Sequence, residues 1–210
     1  MPGRDASGGR PGRRPHSDEA ILDAAREVFL ADPSAPVAAV AKRAGVGISA
    51  LYRRHSSKEE LLRRLCHDGL RRYLDEAAEA LDASDGWAGF VGFLERVVAA
   101  DVHALTVRLA GSFTPTAQMR ADAVRSGELT SELVKRARAS GRLRGDVVTE
   151  DVGFLLELCA AVRVPDAERT AELRSRYLAL LVAGLEKGKG GRLPGPPPDG
   201  TEYGNRWRRR

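Results

Sequence analysis

The spacing of apolar residues limits this chain of 210 residues to a helical fold. Between about residue 17 and residue 186, apolar side chains recur every three or four positions, the period of an α-helix with one buried face. No run rich in Val, Ile and Thr alternates apolar with polar residues as a half-buried strand would. The sequence therefore predicts an all-α protein of about nine helices.

Composition divides the chain into four segments. Residues 1–16 are rich in Gly, Pro and Arg, so we expect a disordered basic arm. A polar break at residues 82–86 separates a first helical domain, residues 17–78, from a more hydrophobic second domain, residues 79–186. The remaining residues, 187–210, contain too many Gly and Pro residues for regular structure, and we expect a disordered tail.

Local signals place four helices in the first domain. Gly45 supplies the left-handed conformation that ends the second helix. The fourth helix is long and opens with a capping box, in which Ser57 is the N-cap and Glu60 stands at N3. The predicted helices run from Ser17 to the residue before Asp32, from about Ser34 to Ala44, from about Ile48 to Arg54, and from Ser57 towards the polar break.

Five further helices are predicted after the polar break. The first has apolar residues around most of its circumference and should be buried inside a bundle. The last two carry leucine-rich stripes, which would serve either as core or as a contact between two copies of the chain. The five helices run from Trp87 to about Leu109, from about Pro115 to Arg125, from Glu128 to Ser140, from Thr149 to Val164 and from Asp166 to Glu186.

One stretch of the first domain carries only positive charge. The residues from Pro36 to Lys58 include five Lys or Arg side chains and no Asp or Glu, in a chain of formal net charge +5. This acid-free stretch coincides with the second and third helices and the corner between them. The combination is typical of a helix-turn-helix element that binds DNA. The alternative is an ordinary solvated face of a helical bundle.

In a helix-turn-helix, one helix braces across the DNA backbone and the next enters the major groove. Leu51 should face inward, while Ala50 could touch a thymine methyl, Tyr52 a phosphate, and Arg53 either a guanine or a phosphate. Lys58, at the start of the fourth helix, should place a charge and free N–H groups near a phosphate. The predicted DNA contacts are Arg43, Gly47, Ser49, Ala50, Tyr52, Arg53, His55 and Lys58.

The stretch from Ile21 to Leu61 resembles the DNA-binding domain of the TetR/AcrR family of bacterial regulators. The resemblance runs through the segments ILDAAREVF, VAKRAGV and LYRRHSSKEEL at the spacing of that family. Pro36 stands where the family often has a Thr or Ser that contacts phosphate, and Ser34 could cap the second helix instead. His55 replaces an aromatic residue, so it would either pack in its place or reach a phosphate.

The resemblance implies a C-terminal helical bundle for ligand binding and dimerisation behind the N-terminal three-helix domain. The implied function is that of a transcriptional regulator, a repressor that leaves a palindromic operator in double-stranded DNA when a small molecule binds. A homodimer is expected, because one short helix reads few base pairs. The candidate effector-pocket residues, for which a core or surface position is the alternative, are Trp87, Phe90, Leu94, Asp101, His103 and Phe113.

Nothing in the sequence indicates an enzyme, a metal site or a cofactor. Asp101 and His103 point to different faces of a predicted helix and no nucleophile joins them. Cys66 and Cys159 lie in apolar helical stretches, which is typical of buried, reduced thiols. The chain also lacks a secretory signal and an apolar run of about 18 residues, so a cytoplasmic, nucleoid-associated protein is expected.

Overall fold

The structure is a computed structural model that describes residues 18–109, 111–188 and 190–204. Within these ranges every named element is a helix, and the prediction of an all-α fold is confirmed. The predicted arm over residues 1–16 and the last residues of the chain, from 205, lie outside the described ranges. The helices are α1 (Asp18–Ala31), α2 (Val37–Ala44), α3 (Ile48–Arg54), α4 (Lys58–Leu81), α5 (Gly86–Ala99), α6 (Val102–Leu109), α7 (Ala117–Ala139), α8 (Thr149–Ala161), α9 (Ala167–Leu185) and α10 (Gly200–Gly204).

The end of α2 and the start of α4 lie at the residues whose types predict a helix end and a helix start. Gly45 has φ +67°, and its N–H and that of Val46 donate to carbonyls of the last turn of α2. Ser57 Oγ accepts a 3.0 Å hydrogen bond from the Glu60 N–H at the start of α4. The Glu60 carboxylate in turn accepts from the backbone N–H of Ser56 at 2.6 Å. The corner between α2 and α3 and the start of α4 are therefore fixed locally.

The start of α2 differs from the prediction. Ser34 does not cap this helix, because its N–H and its hydroxyl both donate to Asp32 Oδ1, at 2.8 and 2.6 Å. The N-cap position is taken by Pro36, which makes no side-chain cap. Residues 32–36 thus form a turn between α1 and α2 in which Ser34 binds Asp32 and does not cap α2.

Two hydrophobic cores lie along α4. The first is built from α1, α2, α3 and the first half of α4, and it also includes Leu105, Leu109 and Phe113 from the second half of the chain. The second core joins the end of α4 to α5, α7, α8 and α9. Because α4 runs to Leu81 and enters both cores, it crosses the boundary that the composition places at residue 78.

The helix predicted from Trp87 to Leu109 is two helices, α5 and α6. Asp101 breaks it with a φ of +49°, a conformation that few residues other than glycine adopt. The carboxylate of Asp101 lies 2.6 Å from Arg174 Nη1, and the Arg174 side chain is buried at the α8–α9 contact. The break therefore depends on an ion pair with a residue far along the chain, and it directs α6 onto α1, α4 and α8.

The two helices predicted over residues 115–125 and 128–140 are the single helix α7. Gly127 lies in its middle without ending it. Glycine in a helix costs about 1 kcal/mol relative to alanine. Thr130 and Leu133, within two turns of it, are buried, and this packing holds the helix together through the glycine.

α7 lies against α4 and runs in the same direction. His67 Nε2 is 2.7 Å from Asp122 Oδ2, and the Tyr73 hydroxyl is 2.8 Å from Thr130 Oγ1 further along both helices. Beyond these pairs, the Arg136 guanidinium donates to the carbonyls at the end of α4 and just after it. Each successive pair lies further along both α4 and α7, which fixes the register between the two helices.

The segment after α9, for which a disordered tail from residue 187 is predicted, folds back onto the body in its described part. The Arg144 guanidinium binds Asp146 Oδ1 and the Gly191 carbonyl, both at 2.6 Å. Asp146 Oδ2 also accepts from the Leu193 N–H at 2.9 Å, and the two hydrogen-bonding partners hold the pKa of Asp146 well below its ordinary value. Side chains of the α7–α8 loop thus hold the segment after α9 in place of the regular backbone hydrogen bonds that its Gly and Pro residues prevent. After this segment, α10 packs on α8.

Candidate nucleic-acid interface and effector site

α2 and α3 form a two-helix unit whose inner face belongs to the first core. Val40 and Leu51 are fully buried there and fix the angle between the two helices. The positions between and beyond them face outward. Gly47, Ser49, Tyr52 and Arg53 are exposed and Ala50 is half-buried, so these five predicted contacts lie on one accessible surface, the α2–α3 face.

The α2–α3 face carries positive charge without partners. The side chains of Lys42, Arg53 and Arg54 are exposed, and none of them forms a hydrogen bond or ion pair with any residue that the structure describes. Lys42 and Arg54 were not among the predicted contacts, although the absence of acids from this stretch was the signal that could have included them. Unpaired cations on an exposed helix pair are suited to bind phosphates.

Gly47 is the N-cap of α3, with an ordinary extended backbone at φ −69°. A Cβ added there would meet no atom within 4 Å. Neither backbone conformation nor packing inside the chain therefore requires glycine at this position. The space over Gly47 is open to an external partner.

Arg43 lies at the edge of this surface and is already paired. Its Nε donates a 2.6 Å hydrogen bond to Glu27 Oε2 of α1. Both side chains are more than half exposed, so the pair is solvated and weak. Arg43 could exchange this carboxylate for a phosphate, because so exposed a pair holds it only weakly.

The structure corrects the role predicted for Lys58. Its ammonium group donates to the carbonyl oxygens of Pro33, Ser34 and Ala35 at 3.1, 3.0 and 2.8 Å. It also lies 5.2 Å from the centre of the Phe29 ring. All three ammonium hydrogens are used in joining α4 to the α1–α2 turn. Lys58 therefore braces the fold and is not placed to bind a phosphate.

His55 is also placed inside the domain. Its side chain is only 5% exposed, and Nε2 lies 3.3 Å from Asp18 Oδ1 without the geometry of a hydrogen bond. The residue ends α3 and takes the packing position that an aromatic ring would fill. Of the two roles left open for His55, packing is the one the structure shows, and a contact with DNA is not.

Most of the predicted effector-pocket residues lie in the cores. Trp87, Phe90 and Leu94 are buried in the second core, and Phe113 is buried in the first. These four residues therefore pack the fold.

Asp101 and His103 line a cavity of about 10 Å³ next to Arg174, room for about one water molecule. Burial lowers the pKa of His103 to about 4, so its ring is neutral near pH 7. In this conformation the bundle interior has no room for an effector at that position.

A larger cavity, of about 490 Å³, lies in the groove between α4 and α7. Charged side chains line much of it, including Arg71 of α4 and Arg125 of α7. The sequence does not predict this groove, because its pattern indicates two helices over residues 115–140. The signal that could have revealed it is the helical spacing of polar residues along the facing sides of α4 and α7.

α8 and α9 present apolar residues on two sides. Leu156 and Leu178 point into the second core, whereas Leu158, Tyr177 and Leu180 are 59, 44 and 61% exposed. The leucine-rich stripes of the last two helices are therefore partly core and partly an exposed apolar surface, the α8–α9 face. Exposed apolar side chains such as these can serve as a contact with another chain.

The described ranges contain no group of three or more His, Cys, Asp or Glu side chains arranged to hold a metal ion. Cys66 and Cys159 are buried free thiols, and burial raises the pKa of Cys66 to about 12. In the same ranges no helix has the length and apolar character needed to cross a membrane.

Two family models match the sequence and together cover most of it. The model described as "Bacterial regulatory proteins, tetR family" matches residues 21–65, which include α2, α3 and the start of α4. The model described as "Transcriptional regulator SbtR-like, C-terminal domain" matches residues 82–187. Among curated proteins, no sequence matches this chain.

Solved structures with the same fold include several transcriptional regulators. The TetR family regulator PfmR from Thermus thermophilus has a TM-score of 0.63 at 22% identity, over 80% of this chain and 99% of PfmR. The ketosteroid regulator KstR2 of Mycobacterium tuberculosis has a TM-score of 0.61 at 18% identity, over 80% of this chain and 94% of KstR2. LfrR from Mycobacterium smegmatis, solved in complex with proflavine, has a TM-score of 0.58 at 21% identity, over 84% of this chain and 98% of LfrR. At these identities the likeness shows a shared fold.

Proposed function

The chain belongs to the TetR family of bacterial regulatory proteins, and from this premise we propose that it is a repressor. In this proposal a homodimer binds a palindromic operator and leaves it when a small molecule binds the C-terminal half. The observation that carries the proposal is the α2–α3 face, whose exposed cations Lys42, Arg53 and Arg54 have no partner among the described residues.

α3 is the element that we assign to the major groove. Ser49 and Ala50 are small enough for close approach to base edges, and open space over Gly47 lets the DNA come near the helix start. Tyr52 and Arg53 flank them, with a hydroxyl and a guanidinium suited to phosphate or guanine. The residues that bind DNA in this proposal are Lys42, Gly47, Ser49, Ala50, Tyr52, Arg53 and Arg54.

Dimerisation follows from the size of the reading element. α3 has seven residues, so one copy reads few base pairs. Two copies about 34–36 Å apart read two half-sites on one side of the duplex. The α8–α9 face supplies a contact, since Leu158, Tyr177 and Leu180 would be covered by the same residues of a second copy.

Two helices connect the C-terminal half to the α2–α3 face. α4 begins beside α3 and ends in the second core. α6 contributes Leu105 and Leu109 to the first core. A small molecule that favours a different position of α4 or α6 would change the separation of the two reading helices and release the operator. We place the protein in the cytoplasm at the nucleoid, because its operator lies there.

Selection of operator DNA tests the proposal. The full chain is incubated with random DNA and with DNA from beside its own gene, and the bound fragments are sequenced. We expect an inverted repeat to be enriched, and Arg53→Ala to weaken its binding. Arg72→Ala, which removes an exposed arginine from α4, is the matched control and should bind as the unaltered chain does. The proposal fails if no palindrome is enriched over random DNA.

A further inference from the structure

The groove between α4 and α7 is large enough to hold a small molecule. Its cavity of about 490 Å³ falls within the range of about 300–1,000 Å³ that is usual for ligand sites. It is lined by residues from only two helices, and one of them, α4, leads directly to the α2–α3 face.

Two arginines line this groove, one from each helix. His67 pairs with Asp122, and because α4 and α7 run in the same direction, the next turn of each helix brings Arg71 and Arg125 to one level. Both side chains line the cavity. Neither forms a hydrogen bond or an ion pair with any residue in the described part of the chain.

Asp122 attracts Arg71 through its charge, but neither acidic group of the groove forms an ion pair with either arginine in the described part of the chain. Both carboxylate oxygens of Asp122 are occupied, Oδ2 by His67 at 2.7 Å and Oδ1 by the Gln118 amide at 2.8 Å. Asp75 lies one turn beyond Arg71 on α4 and is exposed. Its charge disfavours a second negative group at that end of the cavity.

We propose that this groove binds a small organic acid with a single negative charge. Its carboxylate lies between the guanidinium groups of Arg71 and Arg125, whose planar donors match a carboxylate in pairs. Its apolar body lies over Leu74 and Ala78, which line the same cavity. The assignment of this acid as the effector rests on the proposed repressor function, whereas the site itself does not.

Binding would act on α4 through charge. A bound carboxylate attracts the guanidinium groups of both helices at once. That attraction favours the conformer in which α4 lies closer to α7. Because α4 starts beside α3, this preference changes the position of the reading helix.

Calorimetry with three small probes on the full chain tests the site. Benzoate, phenyl phosphate and benzyl alcohol share an aromatic ring and differ in charge. We expect benzoate to bind, phenyl phosphate to bind more weakly, and benzyl alcohol not to bind. Arg71→Gln and Arg125→Gln should each weaken benzoate binding by about tenfold or more. Arg72→Gln, at the neighbouring exposed position outside the cavity, should leave it unchanged.

Four results would overturn the proposal. The first is the absence of benzoate binding at concentrations up to about 10 mM. The second is a benzyl alcohol affinity equal to that of benzoate, and the third is a loss of benzoate binding in Arg72→Gln equal to that in Arg71→Gln. The fourth, tighter binding of phenyl phosphate than of benzoate, would exclude a site for single carboxylates. Thermal unfolding of each variant checks that the fold is kept.

The repressor function is measured separately by operator selection. If a palindrome is bound but benzoate is not, the groove proposal is wrong and the repressor proposal stands. If benzoate binds through Arg71 and Arg125 but no palindrome is bound, the site stands and the repressor proposal fails.

Discussion

At the scale of single residues, Lys58 and Arg53 have different roles, although both lie in the same acid-free stretch of the sequence. The Lys58 ammonium is held by three backbone carbonyls of residues 33–35. The Arg53 side chain is exposed and has no partner among the described residues. Similar charge in the same basic stretch therefore serves the fold in one case and, in our proposal, the DNA in the other.

Substitutions at these two positions should separate the roles. Lys58→Met keeps the aliphatic stem but removes the donors, and we expect it to lower the free energy of unfolding by about 1–2 kcal/mol. The salt dependence of operator binding should stay the same. Arg53→Ala should leave stability unchanged and reduce the slope of log K against log salt by about one. Urea unfolding measures the stability of each variant, and binding titrations at several salt concentrations measure the salt dependence. A less stable Arg53→Ala, or a smaller salt slope in Lys58→Met, would contradict the roles given to these two residues.

Gly47 allows a test of the approach to DNA without damage to the fold. Because a Cβ at this position meets no atom of the chain, Gly47→Leu should unfold at the same urea concentration as the unaltered protein. Its side chain would occupy space that we assign to the DNA, so operator affinity should fall by about tenfold or more. Gly145→Leu is the control, since a Cβ there also meets nothing and the residue lies in the α7–α8 loop. Unchanged DNA affinity in Gly47→Leu would place the DNA elsewhere.

At the scale of elements, the turn between α5 and α6 depends on the pair between Asp101 and Arg174. Asp101→Asn keeps a residue that tolerates positive φ but leaves the buried guanidinium without its carboxylate. We expect a loss of about 1–3 kcal/mol in the free energy of unfolding. Asp82→Asn changes an acid at the end of α4 that forms no side-chain ion pair among the described residues, and it serves as the control. Equal stability of both variants in urea would show that the pair does not hold the turn.

The elements that could be predicted from sequence are those whose ends are set by nearby residues. Gly45, the Ser57 cap and the bond from the Ser56 N–H to Glu60 act within a few positions, so α2, α3 and the start of α4 follow from local chemistry. Asp101 breaks a helix because of Arg174, and no local pattern contains that partner. Gly127 resembles a helix end, but burial of the following turns against other helices keeps α7 continuous.

The candidate site likewise has one part that could be predicted from sequence and another that could not. The outward positions of α3 follow from helical spacing around Leu51, and the structure places them on an exposed surface. The inward roles of Lys58 and His55 depend on the α1–α2 turn and on α1, whose positions relative to α4 the sequence pattern does not specify. The groove between α4 and α7 depends on the register of two helices far apart in the chain.

At the scale of the whole molecule, the α8–α9 face decides whether two copies associate. Leu180 is 61% exposed on that face. Leu180→Glu should place a charge in the contact between copies, so the protein should sediment as a monomer and lose operator affinity. Val124→Glu changes a residue of α7 that is 64% exposed, and it should stay dimeric. A dimer in both variants would show that the copies meet elsewhere.

The sharing of the first core between the two halves of the chain affects how the protein unfolds. Leu105, Leu109, Phe113 and Met119 cover apolar surface of α1 and α4, so the DNA-binding half is not a self-sufficient folding unit. A fragment that ends at Leu81 would expose that surface to water and bury too little to offset the loss of chain entropy. Heating should therefore melt both halves in one cooperative transition.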